Sequence, residues 1–426
     1  SVVLPFVDLN GDNVEEILVA DDNYSLYCIN GNSSGTADII WQLNLYIPSI
    51  GAGSVYDEKG LVIMDDINSD GIQDIALGTV WGSRSVFAVS GMDGSIIWHY
   101  DTDEYGDGGW VYEVDAEHDF NNDGIRDILA ASGDDGSDFG PRRVQLFNGV
   151  NGDKLWEHAF YVAMTAVISL DDITGDSVPD VVCASSPDYT DGYIYVLDGS
   201  TGNIINQINS NSMAVWGLCP INDINNDGLM DYAYGDFNGA IKIVTSPADV
   251  TTSFSTQNGL ITHMESITAY NQKSYILSGT LNDYFPLINA TDGIISWAVA
   301  TDGYVLDASP IEDLNGDLFF DVLIGTLDEK LSVLSGLDGQ EIFSKNMYHP
   351  VEQTSYVMDL DGNGTPEILV GLRNGKLFCY SGGDANEDAY LDGDINLDEL
   401  VNILDIILVV NIILGDYEAN ELELWL

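Results

Sequence analysis

Positive charge is what this chain most lacks. Lys and Arg together number 12 among 426 residues, against 70 Asp and Glu, and the formal net charge is −58. Nothing here can neutralise a run of phosphates, so nucleic acid is excluded as a partner class, and anionic membrane surfaces are disfavoured on the same ground. Cysteine is equally scarce: Cys28, Cys183, Cys219 and Cys379. No CxxC spacing exists, which leaves zinc clusters and dithiol redox chemistry without support. Each Cys sits in an apolar, strand-like run, so buried thiols are expected, with a Cys183–Cys219 bridge as the alternative. No leader peptide is visible, as expected of a mature or trimmed secreted chain. The apolar run Ile403 to Leu414 is too short for a span of about 20 residues and is interrupted by Asp405 and Asn411. Five histidines (His99, His118, His158, His263 and His349) are scattered with no HExxH or Ser-His-Asp spacing. His118, between Glu117 and Asp119, reads as a surface residue.

What the chain has in abundance is one acidic phrase, written seven times. Its copies are Asp8, Asn10, Asp12, Glu16; Asp66, Asn68, Asp70, Asp74; Asp119, Asn121, Asp123, Asp127; Asp172, Thr174, Asp176, Asp180; Asp223, Asn225, Asp227, Asp231; Asp313, Asn315, Asp317, Asp321; and Asp359, Asp361, Asn363, Glu367. Oxygen-bearing side chains at the first, third, fifth and ninth places of a tight turn converge on one point, which suits a hard cation such as Ca²⁺. One such turn would be an ordinary Asx-rich bend. Seven with an acid at the ninth place point to metal binding, the Thr174 copy being the weakest.

The gap from Asp223 to Asp313 is about twice the others, and the segment 265–279 fills it as a repeat that has lost its carboxylates. There Ser266 stands for the first acid and Ser274 for the last. Repeats of this length signal a propeller or a similar array. Each reads as four short strands, as in Leu61-Val62-Ile63-Met64, Asp74-Ile75-Ala76-Leu77-Gly78, the alternating Tyr193 to Leu197, and a fourth after a Gly hairpin. That fourth often ends in Trp (Trp98, Trp156, Trp297), read as packing between neighbouring units. The predicted fold is therefore all-β: an eight-bladed β-propeller of four-stranded blades, with seven blades plus an extra sheet as the variant.

The acidic turns with their flanking apolar strands resemble the FG-GAP/VCBS repeats of integrin-type β-propellers, over roughly residues 1–382. The hairpin Leu197 to Ile205 is similar to the outer hairpin of quinoprotein-like propellers. The resemblance implies an ion in the hairpin between the first two strands of a blade. The last blade offers strands near 352–358, 367–371 and 376–380 and no fourth. Three explanations stay open: residues preceding Ser1, a three-stranded blade, or a strand donated by a neighbour.

From residue 383 the composition changes. Asp394, Asn396, Asp398, Asn402 and Asp405, followed by an apolar helix, resemble one half of a dockerin with its EF-hand-like calcium loop. Glu399 replaces the usual Gly there, and an overlapping register through Asp388, Asp392 and Glu399 competes. A complete dockerin carries two loops, so the chain is expected to continue. The resemblances imply a secreted or cell-surface, calcium-binding, non-catalytic module for recognition or assembly. Its partners would be a glycan or protein ligand, and a cohesin-like protein or neighbouring subunit; self-assembly is compatible with an open edge. The alternative is a calcium-dependent carbohydrate-active enzyme of the polysaccharide lyase type. The acidic insert Tyr100 to Trp110, with Gly133 to Asp138, Arg142 and Arg143, reads as a solvated loop or a recognition face.

Overall fold

The computed structural model describes residues 2–385, apart from residues 34, 49–50, 103–108, 134–141, 188–190, 213, 246–248, 257–258 and 361. The dockerin-like unit, with Asp394, Asn396, Asp398, Asn402 and Asp405, lies outside the described residues, as does Asp361. Among the described residues the chain is all-β, with two short 3-10 turns, Glu58–Gly60 and Gly382–Ala385, and no α-helix. No helix there is long and apolar enough to cross a membrane.

The strands form successive antiparallel sheets. Sheet 1 is Val2–Phe6, Glu16–Asp21, Ser25–Ile29 and Ile39–Asn44, paired in that order. Sheet 2 is Leu61–Met64, Asp74–Gly78, Ser85–Val89 and Ile96–Asp101. The same up-and-down order recurs in sheet 3 (from Trp110–Asp115), sheet 4 (from Ala163–Leu170) and sheet 5 (from Val215–Ile221). Sheets 6 and 7 begin at Ile261–Thr268 and Val305–Ile311 and are joined by one pairing, Thr280 with Val305. Sheet 8 has three strands among the described residues: Val351–Val357, Glu367–Leu372 and Leu377–Tyr380.

Alternation along each strand supplies two neighbours at once, because successive side chains point to opposite faces. In Asp74–Gly78, Ile75 and Leu77 enter a core shared with sheet 1, while Ala76 enters the core shared with sheet 3. Second and third strands are covered on both faces, which is why Ser85–Val89 is buried throughout. Fourth strands lie outermost and half in water, as in Ile204–Asn209. The series closes on itself: Val3 and Ile17 of sheet 1 pack against Val357 and Leu369 of sheet 8. The same partition explains the cysteines. Cys183 faces the sheet 3–4 core and Cys219 the sheet 5–6 core, so the alternative bridge is not formed; Cys28, Cys183 and Cys219 are buried as expected, whereas Cys379, on the third strand of sheet 8, is exposed.

The tryptophans latch one sheet to the next. Trp41, Trp98, Trp156 and Trp297 each donate Nε1–H to a hairpin carbonyl of the following sheet, Gly91 at 2.9 Å, Gly149 at 2.8 Å, Gly199 at 2.6 Å and Gly336 at 2.7 Å. Two glycines in each hairpin make the approach possible. A Cβ on Gly91 would stand 2.0 Å from the Gln73 carbonyl, and one on Gly94, whose φ is +73°, would stand 2.5 Å from the Trp41 ring. Only glycine tolerates both demands.

One insert departs from the repeat. Between sheets 1 and 2 the chain forms the short strands Tyr46–Ile47 and Gly51–Ser54, the latter pairing with Val80–Trp81 from the loop after the second strand of sheet 2, and then the turn Glu58–Gly60. That turn enters the middle of the assembly, where first strands from several sheets meet it.

Candidate functional sites

The acidic turns join the first and second strands of their sheets, as the repeat predicts. In five of them the side-chain oxygens of the first and third residues converge on one N–H, that of the fifth. Asp12 N–H is met by Asp8 at 3.3 Å and Asn10 at 2.9 Å, and Asp70, Asp123, Asp227 and Asp317 repeat the pattern. The fifth residue in turn accepts from the seventh, as in Val14 N–H to Asp12 Oδ1 at 2.9 Å. In the Thr174 copy the hydroxyl instead donates to Asp172 at 3.2 Å, and the Ser177 N–H leads a set of backbone bonds that hold the Asp172 carboxyl below its usual range. In sheet 8, Asp359 accepts from Gly362, Asn363 and Gly364.

The ninth residue does something else. Glu16, Asp74, Asp127, Asp180, Asp231, Asp321 and Glu367 are all buried. Asp127 accepts Phe120 N–H at 2.9 Å and Asn121 N–H at 3.1 Å on one oxygen, and Gly149 N–H at 3.1 Å on the other. Gly31, Gly91, Gly199 and Gly336 make the same bond to Glu16, Asp74, Asp180 and Asp321. The glycine that gives its N–H to this carboxylate is, in sheets 2, 3, 4 and 7, the one that gives its carbonyl to the preceding tryptophan. Burial pushes Asp127 up to about 6 and Asp321 up to about 7, with the backbone bonds opposing. These acids clamp the turn to the outer hairpin, while the first, third and fifth side chains remain outside.

The donor chemistry of the turns fits calcium: hard oxygens from carboxylates and amides, gathered around one N–H, on an exposed bend. The first, third and fifth residues would hold the ion, with the ninth bracing them from below. Sheet 6 differs from the expected alignment. Ser274 does open the second strand, but Ser266 stays inside the first, and only Ala269–Lys273 separates them. Without carboxylates to fold around, the turn is shorter, and Ser266 Oγ bonds the Pro220 carbonyl at 2.6 Å.

A second site, in the channel, was not foreseen. Asp57, Glu58 and Lys59 reach it on the insert, and Glu113, His263, Glu265 and Asp307 on first strands of sheets 3, 6 and 7. His263 Nε2 lies 2.5 Å from Glu58 Oε1, and the donor atoms of Glu58, His263 and Asp307 all fall within 4.8 Å of one another. Asp307 Oδ2 accepts Thr354 N–H at 2.5 Å and Thr354 Oγ1–H at 2.8 Å; Glu58 Oε2 accepts Gln353 Nε2–H at 2.6 Å. Lys59 Nζ donates to the Leu218 carbonyl, and Glu113 accepts Val167 N–H at 3.1 Å. Burial raises Glu58, Glu113, Glu265, Asp57 and Asp307 above the usual carboxylate range, with neighbouring carboxylates adding to the rise at Glu58, Glu113 and Glu265, and it depresses His263.

A cavity of about 350 Å³ opens onto this cluster, lined also by Tyr56, Trp216, Leu306 and Arg373. Tyr56 and Trp216 of its lining pack with Tyr112 in edge-on and tilted contacts, centroids 5.1–5.9 Å apart. The signal in the sequence was the spacing from Asp8 to Asp66, the longest between neighbouring repeats, which announces an insert but not where it goes. His118 is partly buried rather than a plain surface residue, its Nδ1 2.7 Å from Ser169 Oγ. The insert Tyr100 to Trp110 and the stretch Gly133 to Asp138 fall largely outside the described residues.

No protein-family model and no curated protein sequence matches the chain. Solved structures do. Sqt1 of Saccharomyces cerevisiae superposes with a TM-score of 0.61 at 14% identity, over 86% of this chain and 93% of that one. The C-terminal WD40 domain of Sif2 gives 0.59 at 13% identity, over 89% and 98%. BBS1N, solved in complex with ARL6DN, gives 0.50 at 10% identity, over 75% and 90%. At these identities the likeness establishes the fold alone: the chain is a β-propeller.

Proposed function

We propose that this chain is an extracellular, calcium-clamped recognition and assembly module. In this reading it is an eight-bladed propeller of FG-GAP/VCBS type whose exposed turns hold Ca²⁺. The dockerin-like residues beyond 385 would tether it to a cohesin-like partner or a neighbouring subunit, and the faces of the ring would receive a glycan or protein. The observation that carries the proposal is the repeated convergence of first and third side-chain oxygens on a single N–H in five separate turns. Propeller neighbours that work as interaction scaffolds, such as BBS1N with ARL6DN, support a binding role. The strongly acidic surface suits millimolar calcium outside the cell, where modules of this kind bind with Kd of roughly 10⁻⁴–10⁻³ M.

Melting the full chain with and without chelator tests this. With Kd near 0.1 mM and calcium near 10 mM, each occupied turn adds about 2.7 kcal/mol. A large fall in Tm on chelation, reversed by calcium and not by magnesium, is expected; an unchanged Tm removes calcium from the account. The cavity above the buried carboxylates favours one second reading, a calcium-dependent polysaccharide lyase. Release of unsaturated sugars from acidic polysaccharides would replace the binding role with that one.

A further inference from the structure

The channel cluster has no part in the calcium turns, and its donor set differs from theirs in kind. We infer that Glu58, His263 and Asp307 form a second metal site, for a zinc-class divalent cation with one coordination position open to the cavity. The inference stands apart from the proposed calcium role and holds whether or not the turns bind.

Three observations carry it. The first is chemistry. An imidazole nitrogen with two carboxylate oxygens is a mixed N/O set, suited to zinc and its d-block neighbours, whereas calcium and magnesium take oxygen alone. The second is geometry. All three donor atoms already lie within 4.8 Å of one another, although they come from the insert and from sheets 6 and 7, far apart in sequence. His263 Nε2 is buried and makes no well-directed hydrogen bond; it presses to 2.5 Å from Glu58 Oε1, a contact that must open for both atoms to reach one cation. Glu58 and Asp307 also bond each other side chain to side chain, so the three groups crowd together in a way that either shared protons or a cation between them relieves.

The third observation is the supporting shell. Thr354 holds one oxygen of Asp307 through both its N–H and its hydroxyl, and Gln353 holds one oxygen of Glu58, leaving the other oxygen of each carboxylate for the site. Metal-ligating carboxylates are oriented by outer partners in this way. Charge points in the same direction. Asp57, Glu58, Glu113 and Glu265 lie around a single lysine, Lys59, whose Nζ donates to the Leu218 carbonyl and whose charge also reaches His263, while Asp307 bears on Glu58 and Glu265. Carboxylates buried together take up either protons or a cation.

Three protein ligands leave a fourth position for water or an oxygen-donor ligand, the pattern of reactive rather than purely structural zinc sites. Here that position faces the cavity lined by Tyr56, Trp216 and Arg373. Arg373 lines the same cavity with its Nε bonded to Glu352 Oε1 at 2.6 Å, so a small oxygen donor on the cation would share the space with an engaged guanidinium.

The test uses the full chain with calcium saturating, so that the turns are out of play. Zn²⁺ is titrated calorimetrically, and Co²⁺ is added in parallel to read coordination from its visible absorption. One equivalent of Zn²⁺ is expected, with a Co²⁺ spectrum of four-coordinate type. His263→Gln and Asp307→Asn should each weaken binding at least 100-fold. Gln353→Leu, which removes only an orienting bond, should weaken it 10- to 100-fold, and Asp123→Asn, in a calcium turn, should leave it unchanged. Circular dichroism and calcium-bound Tm establish that each variant is folded, and Gln353→Leu keeps the test decisive if His263→Gln is not. Zinc affinity equal to wild type in the folded channel variants, no saturable binding, or loss of the zinc signal in Asp123→Asn overturns the inference.

Discussion

The buried ninth carboxylates and the exposed first, third and fifth oxygens should fail in different ways, and Asp127 against Asp123 shows how. Asp127 is 1% exposed and meets four donors: the N–H groups of Phe120, Asn121 and Gly149 and the Asn121 side-chain amide at 3.0 Å. In Asp127→Asn one oxygen becomes an NH₂ group, which turns two of those donors toward another donor. A buried donor left unsatisfied costs about 1–3 kcal/mol. Two of them, less what is regained by no longer burying a carboxylate, give a loss of roughly 2–4 kcal/mol. That loss belongs to the protein framework and should appear equally in chelator and in calcium. Asp123 is exposed; its oxygens take Ile125 N–H at 3.0 Å and the Asn148 amide at 2.8 Å, both beside water. Asp123→Asn should cost less than about 1 kcal/mol in chelator, and up to about 2.7 kcal/mol more in calcium, where a bound ion is weakened. Urea unfolding followed by tryptophan fluorescence, in both conditions for both variants, provides the readout. If Asp127→Asn matches wild type in chelator, or if the two variants respond alike to calcium, the division between clamp and ligand is wrong.

Three further outcomes follow from the same geometry. Trp41→Phe keeps most of the buried ring but forfeits the bond to the Gly91 carbonyl, and should lose about 1–2 kcal/mol against about 3–5 kcal/mol for Trp41→Ala, measured by urea midpoint. Among the described residues the seam between sheets 1 and 8 rests on Val3, Ile17, Val357 and Leu369 as buried apolar contacts, fewer than in any other shared core, so hydrogen exchange should open there before any other seam; uniform protection around the ring would contradict this. Glu113, pushed up to about 8 from 4.5 chiefly by burial, faces Lys59, Asp57 and Asp115. The folded state holds its proton where the unfolded state does not. Its contribution is therefore full below about pH 4.5 and is lost as pH rises toward 8. Stability should fall across that window by a few kcal/mol, and Glu113→Gln should flatten the fall; a fall of equal slope in the variant would assign it to other groups.

What could be read from the sequence, and what could not, divides along one physical line. The turns, strands and hairpins are local: a nine-residue acidic phrase, a period-two apolar run and a glycine pair each specify their own bend, so seven turns and the latching Trp98, Trp156 and Trp297 are visible in the sequence, while Trp41 is not singled out by it. The order of the sheets follows, because each has two apolar faces that its chain neighbours are nearest to cover, leaving the first and last sheets to cover each other. The failures are where local signals end. Ser266 aligns with a turn residue only if the repeat keeps its length, whereas a turn relieved of its carboxylates contracts. Asp57, Glu58 and Lys59 carry no periodicity at all, and His263 looks like any lone histidine in a strand. Their meeting is a property of the closed ring, which brings first strands of distant repeats to one axis. Sequence separation there carries no information about distance, since Glu58 and Gln353 stand 295 residues apart and share a hydrogen bond of 2.6 Å. A propeller thus writes its scaffold in every repeat and its chemistry in the one place the repeats do not resemble each other. For this chain, that place is the insert after sheet 1, and the residues it meets in the channel are the ones whose substitution will say most about what the protein does.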